Sequence, residues 1–169
     1  MRWRARTVAW IAVILAVLLQ GAFVTRLGIP FQLTPVVVVV AAMRMTRNEA
    51  ALLGFGAGLL LDIAPPASGV LGAQAFVLCL AAYFASANQH LVPHVWWARA
   101  LFAAGLSTLA QALVLVIQLL AGQPLPLGVG TGMSIVWQFA IGLLLSLALW
   151  PASKATMGPQ PRRRMGVAP

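Results

Sequence analysis

Side chains able to do acid–base, nucleophilic or metal chemistry are scarce in this 169-residue chain. The acids are Glu49 and Asp62, the histidines are His90 and His94, and Cys79 is the single cysteine. General acid–base catalysis needs two such groups converging on one substrate atom. The two carboxylates lie apart in the chain, and no Ser/His/Asp set accompanies them. His90 and His94 stand at i, i+4, a spacing that suits zinc on a helix. No Cys, Asp or Glu nearby completes four ligands. Beside Trp96 and Trp97 they read as solvated histidines at a membrane surface. Cys79 sits in an apolar run with no second cysteine, so it reads as a small buried hydrophobe. The expectation is a protein that is not an enzyme and takes no cofactor and no metal.

The most informative spacing is that of Gly54, Gly58 and Asp62. At i, i+4 and i+8 they fall on one face of a helix. Small residues so placed let a second backbone approach closely inside a bilayer. A carboxylate on that face is costly in hydrocarbon, so it points into protein or lies near the interface. Two uses stay open: packing against the chain's own helices, or contact with a partner subunit. Asp62 itself either bonds a partner or polarises a small cavity, or it caps a helix end just before Pro65 and faces external water. Arg26 is its one basic neighbour on the same side, and an exposed pair is worth little. Gln20, Gln111, Gln118 and Gln138 interrupt other apolar runs. Each either bonds between helices, at about 1 kcal/mol or less, or helps to line a ligand cavity.

These residues need elements to hold them. Hydrophobic residues make up 62% of the chain and charged ones 8%, more apolar surface than a soluble domain of this size can hide. Apolar runs cover residues 7–24, 33–43, 49–63, 72–87, 98–120 and 133–150, and links that carry charged, polar, Gly or Pro residues separate them. Val36–Val40 has strand composition. A lone strand cannot satisfy its backbone in lipid, so a helix is expected there. The runs at 33–43 and 49–63 are short for a bilayer core about 30 Å thick. Pro151 is expected to stop the last helix. The basic start and apolar run at 2–20 read as a retained first helix and not a cleaved signal, because the run is long and further spans follow. Trp3 and Trp10 are placed at headgroup depth. The fold class is therefore all-α: a polytopic membrane protein, with a six-helix transmembrane domain at 1–150 and a flexible basic cytoplasmic tail at 151–169.

Charge orients this bundle. The net charge is +9, yet the basic residues cluster at helix ends and tails, which argues against nucleic acid. With the N-terminus inside and six spans, Arg2, Arg4, Arg6, Arg44, Arg47, Arg99, Lys154, Arg162, Arg163 and Arg164 all face inward and Arg26 alone faces out. That asymmetry matches the positive-inside rule and puts both termini in the cytoplasm. Arg162, Arg163 and Arg164 lie between prolines and rest on anionic lipid, at about 1 kcal/mol per charge, or touch a cytosolic partner.

Thr34-Pro35 followed by valines, then Gly54-Phe55, Gly58-Leu59-Leu60 and Asp62, then Gly72 and Tyr83, resembles the rod shape-determining protein MreD family. The likeness runs over residues 33–83 in motif and over the whole chain in length and hydropathy. The two histidines and the triple-arginine tail are outside it. The resemblance implies a non-catalytic inner-membrane subunit of the bacterial cell-elongation machinery, serving cell shape and peptidoglycan synthesis. It implies an MreC-like bitopic partner, and connections to MreB, RodA and a class B penicillin-binding protein. It also implies a fold similar to the substrate-binding S-subunits of ECF vitamin transporters. Such a transporter subunit is the alternative function, with the glutamines as its cavity candidates.

Overall fold

The structure, a computed structural model, describes residues 2–20, 32–63, 71–92, 95–122 and 129–157. Among the described residues there are six helices and no strand: α1 Arg2–Leu19, α2 Leu33–Ala42, α3 Arg47–Ile63, α4 Ala73–Asn88, α5 Trp96–Leu120 and α6 Val129–Met157. Two segments, Trp96–Leu120 and Gly132–Leu149, are long and apolar enough to cross a membrane.

Helix α2 is the axis of the bundle. Its valine run is helical, as its surroundings require, and it packs against α1, α3, α4, α5 and α6. Thr34, Pro35, Val36, Val38, Val39, Val40, Ala41 and Ala42 are buried around its whole circumference. An apolar stripe on one face would mark a surface helix; an all-round apolar helix belongs at a centre. Pro35 sits in the first turn, where a missing N–H breaks no helical bond. Ten residues rise only about 15 Å, half the thickness of a bilayer core.

The other helices are arranged by side-chain size. The interior is mostly small: Ala50 and Ala57 of α3, Ala75, Ala81, Ala82 and Ala85 of α4, and Ala100, Ala103 and Ala104 of α5. Large apolar side chains point outward on all five outer helices, among them Ile11 and Leu18, Leu52 and Ile63, Phe76, Leu109, and Val136 and Leu144. Water favours the reverse order, with Leu, Ile and Phe inside. Small residues at the seams bring backbones together, which is how helices associate where burial from water is no driving force.

Side-chain bonds define two extremities. At one, Ser86 Oγ donates to the Met45 carbonyl at 2.7 Å and Ser146 Oγ to the Ala100 carbonyl at 3.0 Å. The α2–α3 turn, the end of α4, the start of α5 and the last part of α6 therefore meet there. At the other, α1 ends beside the start of α2, and α3 ends beside the start of α4. Among the described residues every basic position falls at the first extremity: the opening turns of α1, the α2–α3 turn with Arg44 and Arg47, Arg99 of α5, and the end of α6 with Lys154.

Two expectations need correction. Helix α6 does not stop at Pro151 but runs to Met157, so the tail expected from 151 is helical for its first seven residues. A proline withdraws a single N–H and crowds one carbonyl a turn earlier; the other bonds of those turns remain. Trp10 lies in mid-helix, with its six-membered ring over Gly56 of α3, and not at an end of α1.

Candidate functional site

The glycine stretch of α3 lies against α4. A Cβ added at Gly54 would collide with the Leu78 carbonyl oxygen and stand 2.8 Å from the Ala82 Cβ. One added at Gly58 would collide with the backbone of Ala75. Both glycines are buried. They are small because another main chain occupies the space a side chain would need. Phe55, Leu59 and Leu60, between and beyond them, are exposed. Gly56 serves a third neighbour: the Trp10 ring lies where its side chain would be. The stretch 54–58 thus meets α4 with one face and α1 with another. Spacing alone marked the first face; Gly56 carries no periodic signal and was missed.

Asp62 completes the seam. It is buried, 8% exposed, and its Oδ2 accepts the N–H of Gly72 at 2.9 Å and the N–H of Ala75 at 3.2 Å. These belong to the N-cap and third residues of α4, two of the donors that a helix start leaves without internal partners. The chain's own N-cap, Gly72, has no side chain to offer, and its φ of +89° is a left-handed conformation that glycine adopts freely. The carboxylate of α3 replaces it, with negative charge at the positive end of the α4 dipole. Glu49 does the same locally. Its Oε2 accepts the N–H of Thr46 at 3.3 Å, the backward half of a capping box at the start of α3. Both carboxylates of the chain therefore bond helix N-termini.

Two glutamines do so for α2. Gln20 Oε1 accepts the Thr34 N–H at 3.0 Å and the Thr34 hydroxyl at 2.8 Å. Gln138 of α6, 1% exposed, accepts the Gln32 N–H at 2.8 Å through Oε1 and donates to the Gln32 carbonyl at 3.0 Å through Nε2. An amide can do both at once, which no carboxylate can. At Gly142, one turn on, an added Cβ would meet Val36 of α2 and Ser107 of α5 at ordinary contact distance. Ser146, another turn on, bonds α5. One face of α6 is thereby written by Gln138, Gly142 and Ser146. Gln111 Oε1 is buried without a hydrogen-bond partner among the described residues, and Gln118 is half-buried on the same helix.

Of the remaining candidates, His90 is exposed and Cys79 half-buried. No group of three metal-ligating side chains occurs among the described residues. His94, Arg26 and Arg162, Arg163 and Arg164 lie outside the described residues. No family model matches the chain, and neither the curated proteins nor the solved structures compared with it include a match.

Proposed function

We propose that this chain is a multi-pass subunit of a bacterial cytoplasmic membrane, with six spans and both termini in the cytoplasm, that holds partners of the cell-elongation machinery together without catalysing a reaction. The observation that carries the reading is the use made of its polar side chains. Asp62, Glu49, Gln20, Gln138, Ser86 and Ser146 each serve a backbone group of the bundle itself. Such a chain is built to hold a shape. The outward large residues suit a lipid surround, and the gathering of basic positions at one extremity suits a cytoplasmic face. The resemblance of residues 33–83 to MreD proteins supplies the particular role, with an MreC-like bitopic protein as the direct partner.

Two measurements test this. In a Cys79→Ser background, Thr46→Cys is labelled from the cytoplasmic side and Leu71→Cys and Ala121→Cys from the outside; any other pattern overturns the topology. Co-expression with an MreC-like protein yields a complex that survives detergent purification, and independent elution of the two overturns the role.

A second reading, a substrate-binding subunit of a vitamin transporter, keeps one specific support in the buried, unpartnered Gln111 oxygen. It requires a vitamin at micromolar concentration to raise the melting temperature, and Gln111→Leu to abolish that rise.

A further inference from the structure

Helix α5 carries a weak point near its middle. Ser107 Oγ and Thr108 Oγ1 both donate to the Ala104 carbonyl, at 2.9 Å and 2.8 Å. In a regular helix that oxygen takes only the N–H four residues on. Hydroxyls that turn back onto it compete with the main-chain bond and bend helices. Gly105 lies between the acceptor and its two donors. Its backbone is the least restricted of any residue, and no atom stands within 4 Å of the place its Cβ would take, so no neighbour clamps the helix there. Glycine–serine pairs are among the few causes of a sharp bend in a helix.

The two halves on either side of this point are held differently. Up to it, Ala100, Ala103, Ala104 and Ser107 are buried, and Ser146 of α6 bonds the Ala100 carbonyl at 3.0 Å. Beyond it only Ala110 and Val114 are buried, while Leu109, Leu113, Val116, Leu119 and Leu120 are exposed. Gln111, one turn past Ser107, has its Oε1 enclosed without a hydrogen-bond partner among the described residues. An enclosed acceptor left unpaired penalises the packing that encloses it. The packed position of the second half therefore carries a cost that movement of that half removes.

We propose that α5 is jointed at Ala104–Thr108. The half up to the joint moves with the bundle. The half beyond it pivots between the packed position, in which the Gln111 oxygen is enclosed, and one swung outward, in which a cleft at that end of the bundle admits water to the oxygen. An element with two such positions is the requirement for a switch, because a partner that contacts the second half in one position alone shifts the balance between them. The proposal needs neither the elongation role nor the assignment of the two sides of the membrane.

Pulsed electron paramagnetic resonance on the full chain in lipid nanodiscs tests it, with spin labels on cysteine pairs in a Cys79→Ser background. Leu60→Cys with Val116→Cys reads the half beyond the joint against α3. Leu52→Cys with Leu101→Cys reads the half before it. All four side chains are exposed. Val116 lies about 16 Å beyond Gly105 at 1.5 Å per residue, so a pivot of about 20° carries it about 5 Å. The expected result is a distance distribution broader by about 5 Å for the first pair than for the second. S107A/T108V removes both hydroxyls, and Q111L removes the enclosed oxygen. Each is expected to narrow the first pair to the width of the second and to leave the second pair unchanged. Equal widths for the two pairs in the Cys79→Ser background alone overturn the proposal before any further substitution. Failure of either S107A/T108V or Q111L to narrow the first pair overturns it too, because the motion then has another source. Narrowing of both pairs alike does the same, by showing a change in the whole bundle and not at one joint.

Discussion

The carboxylate of Asp62, at the end of α3, accepts the main-chain N–H of Gly72 at 2.9 Å and so caps a helix other than its own. Both amides it serves are left unpaired if it is truncated. Asp62→Ala is expected to lower stability by about 1–2 kcal/mol, read as a fall in melting temperature in detergent. Asp62→Asn keeps an acceptor oxygen at that place and is expected to lose less, about 1 kcal/mol or below. Equal losses for the two variants contradict the capping geometry.

The α3–α4 seam depends on backbone approach at two residues. Gly58→Ala sets a methyl against the main chain of Ala75, which cannot rotate away. A loss of about 1–3 kcal/mol is expected, and more for Gly58→Leu. Gly105, half-buried on α5 with open space at its Cβ, is the control. Gly105→Ala is expected to gain about 0.4–1 kcal/mol through reduced freedom of the unfolded chain. Recovery of a partner complex with Gly58→Leu should fall in step with the folded fraction, because this face is already occupied by α4.

Gly56 and Trp10 predict a suppressor. The obstacle at Gly56 is the outer edge of a ring, and a side chain can move where a main chain cannot. Gly56→Val is therefore expected to cost less than Gly58→Val and to be relieved by Trp10→Ala, with the pair melting above Gly56→Val alone. Strict additivity of the two effects would separate α1 from α3 at this point.

The start of α2 gives a double-mutant cycle. Gln138→Leu leaves the Gln32 N–H and carbonyl unpaired in a half-buried place, at about 1–2 kcal/mol. Gln20→Leu removes the acceptor of Thr34. Both act on one helix terminus, so a coupling of about 0.5 kcal/mol or more is expected between them. Additive losses would show that the two amides brace separate parts of the bundle.

Much of this arrangement was legible in the residues. Apolar runs bounded by Arg, Gly and Pro located the elements, and a period of four put Gly54, Gly58 and Asp62 on one face. Which neighbour that face meets was not legible, because the spacing of small residues records close approach and not its object. The Asp62 cap was hidden for a related reason. A capping signature is local, whereas this carboxylate serves a helix that starts about ten residues later. Gln138 and Gln32 are separated by 106 residues, and nothing in either neighbourhood announces the other. The brevity of α2 was visible, but its central place follows only from the bundle: a helix apolar all round reads the same whether lipid or protein surrounds it. Pro151 misled because the rule against proline in a helix is a cost that neighbouring turns can meet.

The bond between Gln32 and Gln138 also fixes an order of events. A ribosome adding about 5–20 residues per second makes the second partner roughly five to twenty seconds after the first. Throughout that interval the opening turn of α2 lacks the amide that closes it. The hub of the bundle is thus finished by the helix that emerges last, and a polypeptide truncated before α6 has a centre that is never locked.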